Sequence, residues 1–161
     1  YLGIIHERKE QYKQAVKYYE AANKRDASAY NLERIAVCYE RDGQYENCLF
    51  TLDQALNMEP QRMSLQTLKA NILYEAGRTK DAIEQWDSIL VTHPDYAWGY
   101  YRRGWFKENI DEEGAIEDFS LAITLDPADT YSYISRANLY DKQGKNELAK
   151  ADYEKIIEIA P

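Results

Sequence analysis

The chain has four prolines, Pro60, Pro94, Pro127 and Pro161, and they are separated by 34, 33 and 34 residues. A fixed period of this size marks a tandem repeat, and each repeat must be one small supersecondary unit. Residues 130–161 spell the unit out: TYSYISRANLYDKQGKNELAKADYEKIIEIAP. A helical pattern is followed by a glycine turn, a second helical pattern and a proline that cannot continue the second helix. Read this way, the chain holds five units: a partial one over 1–28, then 29–62, 63–96, 97–129 and 130–161. The start at Tyr1-Leu2-Gly3 falls inside the pattern, so the chain is expected to be a fragment of a longer protein.

Counting each closing proline as unit position 32 aligns the copies. Position 8 is Gly3, Ala36, Ala70, Gly104 and Ala137. Position 20 is Ala15, Cys48, Ala82, Ala115 and Ala149, and position 24 is Tyr19, Leu52, Trp86, Phe119 and Tyr153. Position 27 is Ala22, Ala55, Ile89, Ala122 and Ile156, and Gly43, Gly77 and Gly144 occupy position 15. Small residues at 8 and 20 let two helices approach, a large one at 24 fills the space beside them, and glycine supplies the left-handed turn. This small–large spacing with its closing proline resembles the tetratricopeptide repeat, and the resemblance covers essentially the whole chain.

Composition narrows the function classes. The chain is 45% hydrophobic and 30% charged, with 28 Asp and Glu against 20 Lys and Arg and a net charge of −8. That balance argues against nucleic acid, whose binders carry a basic face, and against an anionic membrane surface. No apolar run approaches the roughly 18–20 residues that span a bilayer. No nucleophile–base set, phosphate loop or metal-ligand spacing is present, so the expectation is no enzyme, no cofactor and no metal.

Single residues were weighed against packing. His6 falls at position 11 and reads as a partly buried packing residue, and Trp86 reads as core. Cys38 and Cys48 sit at positions 10 and 20 and read as two buried thiols, with a disulfide between them as the other reading. Such cysteines fit a reducing, cytoplasmic compartment. The fourth unit is one residue short between Gly104 and Ala115, where Phe106 replaces the usual position-11 aromatic. Its turn, Asn109 to Gly114, is acidic; a cation site and a solvated helix start are the two readings, and the helix dipole favours the second.

The resemblance implies an all-α, right-handed superhelical solenoid of antiparallel helix pairs, with first helices lining a concave groove that receives partner segments. It places Tyr30, Arg34, Val37 and Arg41 of the second unit on that groove, with Leu68, Asn71 and Tyr74 of the third. The fourth contributes Trp98, Tyr101, Arg102 and Trp105, and the fifth Tyr131, Ile134, Asn138 and Lys142. Trp98, Tyr101 and Trp105 are expected to cluster around Arg102, and Tyr, Trp and Arg are the residue types that dominate binding hot spots. The other reading of these aromatics is packing between neighbouring first helices. The two-carboxylate clamp of chaperone-binding members is not matched. Units three to five offer Thr67, Asn71, Arg102, Tyr131 and Ser135 at its positions, and units two to four offer Glu33, Val37, Leu68, Trp98 and Arg102. The expected function is a non-enzymatic scaffold for a protein or peptide; the alternative is a recruiting or sensing arm of a larger enzyme or regulator. Apolar stacking surface at both ends is expected to favour self-association.

Overall fold

The computed structural model describes residues 2–159; Tyr1 and the closing Pro161, on which parts of the repeat reading rest, lie outside the described residues with Ala160. Ten helices follow one another, with no strand among the described residues. They are α1 (Leu2–Arg8), α2 (Tyr12–Arg25), α3 (Ala29–Arg41), α4 (Tyr45–Met58) and α5 (Met63–Glu75), then α6 (Thr79–Thr92), α7 (Ala97–Lys107), α8 (Glu112–Leu125), α9 (Thr130–Lys142) and α10 (Asn146–Ile159). Pro60, Pro94 and Pro127 stand in the turns after α4, α6 and α8. Ser28, Asp111 and Asp129 cap the helices that follow them, accepting from the backbone N–H of Asn31, Gly114 and Tyr131. Such caps satisfy donors that a helix start leaves unpaired.

The turns inside the helix pairs share one hydrogen bond. The N–H of Gln11, Gln44, Arg78 and Lys145 donates to the carbonyl of His6, Tyr39, Leu73 and Tyr140, at 2.8–2.9 Å. Each of these turns needs one residue with positive φ. Gly43, Gly77 and Gly144 supply it at +70°, +76° and +71°, and in the first pair Glu10 does so at +58°. The fourth pair turns differently: α7 is two residues shorter than α3, α5 or α9, and the Asp111 N–H closes onto the Lys107 carbonyl at 2.8 Å. The missing residue is absorbed by ending the helix early, and no left-handed residue is used there.

The chain divides into two compact units, one up to Gln85 and one from Trp86 onward, with the division inside α6. In the first, consecutive helices from α1 to α5 pack on one another; in the second, those from α7 to α10 do. The small–large pattern builds each core. Ala15, Ala36, Cys48, Leu52, Ala55 and Ala70 are fully buried in the first unit, and Phe119, Ala115, Ala122 and Ala137 in the second. A Cβ built on Gly3 would lie 2.8 Å from the Tyr19 ring, and one on Gly104 would lie 2.9 Å from Phe119. In these two repeats the position-24 ring leaves no room for a Cβ opposite. Trp86 and Phe106 are buried. Cys38 and Cys48 are buried and free, so the disulfide reading is not realised. His6 stacks on Tyr18 at 5.1 Å, and its Nδ1–H donates to the Gln11 amide oxygen 2.6 Å away.

Candidate partner-binding surface

In the second unit, α7 and α9 bring three of the sequence-predicted rings together. Trp98 and Tyr101 lie 4.8 Å apart between centroids, and Tyr101 and Tyr131 lie 6.1 Å apart. Trp98 is 46% exposed and Tyr131 61%, while Tyr101 is half-buried against the core and rests on Phe119 at 6.0 Å. Exposed aromatics of this size on a helix face are costly to leave wet, and a row of them is the usual mark of a docking surface. Ile134, on the same helix as Tyr131, is also exposed.

The expected gathering of these rings around Arg102 separates into two groups. The Arg102 guanidinium lies over Trp105 at 5.0 Å and over Phe106 at 5.1 Å. Trp105 and Tyr101 both pack against the cluster of Ala115, Ile116, Phe119 and Leu139, so each serves the fold as well as the surface. Asn138 is exposed, and its amide oxygen accepts from the Tyr153 hydroxyl at 3.0 Å. Ser135, one turn after Tyr131 on α9, is half-buried and stands at the repeat position that Arg34 occupies in the second repeat. Burial raises the Glu108 carboxyl above its ordinary value, opposed by the Ser135 hydroxyl and by Lys142.

The first unit presents a different face. Tyr30 is exposed, and Leu68, Asn71 and Tyr74 are half-buried. Arg34, placed on the groove by the resemblance, is already paired with Glu7, which also accepts from the Tyr19 hydroxyl at 2.8 Å. Glu33 is held in turn by Arg62.

Sequence reading missed a ladder of ion pairs. In the third, fourth and fifth repeats the residue at position 7 of the first helix reaches back to position 25 of the preceding repeat: Lys69 to Asp53 at 2.7 Å, Arg103 to Asp87 at 2.6 Å, and Arg136 to the Ser120 hydroxyl at 2.9 Å. Arg103 and Arg136 also grip the buried Asp118 and Asp152, each through two nitrogens, and Lys107 adds a third contact to Asp118 at 2.9 Å. Bidentate pairs of this kind fix geometry as well as charge. The signal was present as Arg at position 7 with Asp sixteen or fifteen residues on. The acidic start of α8 is likewise structural: Asp111 caps it, Glu112 pairs with Lys142 and Glu113 with Lys145. Among the described residues no group of three or more His, Cys, Asp or Glu is set to hold a metal, and no helix is long and apolar enough to cross a membrane.

The tetratricopeptide repeat profile matches residues 2–28, 29–62 and 130–161, more than half of the chain. DnaJ homolog subfamily C member 3 of Mus musculus and of Homo sapiens are each 31% identical over 90 residues, which is 55% of this chain and 18% of theirs. The match therefore spans under a fifth of the length of those relatives. Among solved structures, a MamA crystal structure superposes with a TM-score of 0.84 at 19% identity, covering 99% of this chain and 94% of that one. MamA from Desulfovibrio magneticus RS-1 superposes at 0.82 and 18% identity, covering 98% and 90%. At such identities the likeness shows the fold, a solenoid of helix pairs.

Proposed function

The chain belongs to the tetratricopeptide repeat family, and from that membership we propose that it is an interaction scaffold that binds a protein or peptide segment along the faces of its first helices and performs no catalysis of its own. The single observation that carries this reading is the exposure of Trp98 and Tyr131 beside Tyr101. Neither residue is needed to fill the core, and side chains at such sites are otherwise polar. In this reading Trp98, Tyr101, Arg102, Trp105, Tyr131, Ile134 and Asn138 form the contact surface of the second unit. Tyr30, Arg34, Leu68, Asn71 and Tyr74 form that of the first, with Arg34 serving through its pair with Glu7. The acidic balance and the aromatic surface both favour protein over nucleic acid as the partner. Leu2, Ile4 and Ile5 on α1 and Leu148 and Ile157 on α10 are exposed apolar residues, and self-association through them belongs to the same reading.

The test is capture from lysate by the wild-type chain beside a Trp98→Ala/Tyr131→Ala variant whose helix content and melting are checked by circular dichroism. Loss of a captured protein in the folded variant supports the surface. Equal capture by both sinks it. Sedimentation of the chain alone over a concentration series reads self-association directly.

A further inference from the structure

Glu7, Glu40 and Glu108 all stand at position 12 of their repeats, and the residue at position 6 of the next repeat is Arg34, Leu68 and Ser135 respectively. Glu7 is neutralised by Arg34. Glu108 sits in the same register, half-buried, with a serine hydroxyl where Glu7 has a guanidinium. Among the described residues no cation forms an ion pair with it: the nearby Lys142 ammonium is bound to Glu112. The wider charge distribution points the same way. Residues 86–161 carry 15 Asp and Glu against 8 Lys and Arg, whereas residues 1–85 carry 13 against 12. Arg103, Lys107, Arg136, Lys142, Lys145, Lys150 and Lys155 of the second unit are each engaged with a carboxylate of that unit, and Arg102 lies over Trp105 and Phe106. The second unit therefore carries a net negative charge.

We propose that the aromatic face of the second unit takes a basic segment of a partner protein, with a Lys or Arg side chain meeting Glu108 and its aliphatic stem lying along Tyr101 and Tyr131. The proposal rests on the reading of that face as a contact surface. An incoming cation would supply the charge that Arg34 supplies to Glu7. Aromatic faces attract cations, and long basic side chains bury their stems on apolar surface while the head stays polar. Tyr101 and Glu108 stand seven residues apart, two turns along one face of α7, so the ring row and the carboxylate belong to one surface. An acidic segment would meet this unit's own surplus charge and is disfavoured.

The experiment is selection of phage-displayed random dodecapeptides on the immobilised whole chain. The best binders are then titrated by fluorescence anisotropy against wild type, Glu108→Gln, Ser135→Arg and Trp98→Ala/Tyr131→Ala. Glu108→Gln keeps the shape of the side chain and removes only the charge. Ser135→Arg places a cation of the chain's own beside Glu108. The expected result is Lys- or Arg-rich peptides that weaken with added salt. Their affinity should fall about tenfold in Glu108→Gln, the loss of one charge-assisted contact. It should fall at least as far in Ser135→Arg. Acidic or uncharged peptides that ignore Glu108→Gln but are lost in Trp98→Ala/Tyr131→Ala would overturn this inference and leave the contact surface standing. No enrichment, or peptides indifferent to every substitution in chains that remain folded, would overturn both.

Discussion

Glu7 and Glu108 are the same residue at the same place in two repeats, one in each compact unit, and among the described residues only Glu7 forms an ion pair. Glu7 accepts from Tyr19 and pairs with Arg34, closing the α1–α3 face of the first unit with its own side chains. Glu108 has Ser135 at the corresponding position, and Trp98 and Tyr131 stand exposed on the same two helices, α7 and α9. The repeat register sets which way a side chain leaves its helix. Whether that direction ends in an internal bond depends on one residue about 27 positions further on, Arg34 or Ser135. On the proposed reading, a contact surface arises where the internal match is withheld, and polar closure where it is supplied.

The largest effect should come from the buried counterpart of these pairs. Asp118 is 2% exposed and takes contacts from both Arg103 and Lys107. Asp118→Ala strands two cations and is expected to lower stability by about 3–5 kcal/mol in urea unfolding. Glu7→Ala leaves a more accessible Arg34 and should cost only about 1–2 kcal/mol, while Glu108→Ala, with no cation to strand, should change stability by less than about 0.5 kcal/mol. Equal losses at Glu7 and Glu108 would erase the contrast between the two units.

Alkaline pH should sharpen the contrast. Burial pushes the Cys48 thiol up to about 12, with Glu40 adding to it, and burial likewise pushes the Tyr19 hydroxyl up to about 12. Both groups belong to the first unit, and the second has no cysteine. A raised folded-state pKa means that the folded chain holds its proton more tightly than the unfolded one. The corresponding stability is complete below about pH 9, where the free thiol begins to ionise, and is lost as pH rises toward 12. Melting temperature measured from pH 8 to 11.5 should therefore fall less steeply in Cys48→Ala and in Tyr19→Phe than in wild type. A parallel fall in all three chains would mean that neither burial matters to folding.

The elements legible in the sequence were those a single repeat dictates by itself. Proline stops, glycine turns and the pairing of Gly104 with Phe119 need only local backbone and packing rules; the prolines recur in four copies and the turn glycines in three. What stayed hidden depends on matches between repeats. The Arg103–Asp118 and Arg136–Asp152 grips recur only in the last two units, since position 7 is Ile35 in the second unit, so no single column announces them. The division of the aromatics into a Trp98–Tyr101–Tyr131 row and an Arg102–Trp105–Phe106 stack is likewise beyond spacing. Neighbours on one helix face still choose their own contacts. Glu10 was unreadable for another reason: nothing in a Glu announces positive φ, and only the neighbouring hydrogen bond from Gln11 to His6 requires it.

Glu10 also provides the smallest and cleanest test. Three of the four turns built on the 2.8–2.9 Å closing bond place glycine at the left-handed position, and the first unit places a side chain there at a φ of +58°. A Cβ in that conformation costs roughly 1 kcal/mol, and glycine's larger entropy in the unfolded chain takes back part of the gain. Glu10→Gly is therefore expected to raise stability by about 0.5–1 kcal/mol in urea unfolding while leaving peptide binding at Trp98 and Tyr131 unchanged. Glu10→Ala, which keeps the Cβ, should not reproduce the gain. If the two substitutions behaved alike, the effect would belong to the charge of Glu10 and not to its backbone, and the turn of the first unit would owe nothing to the rule that governs the other three.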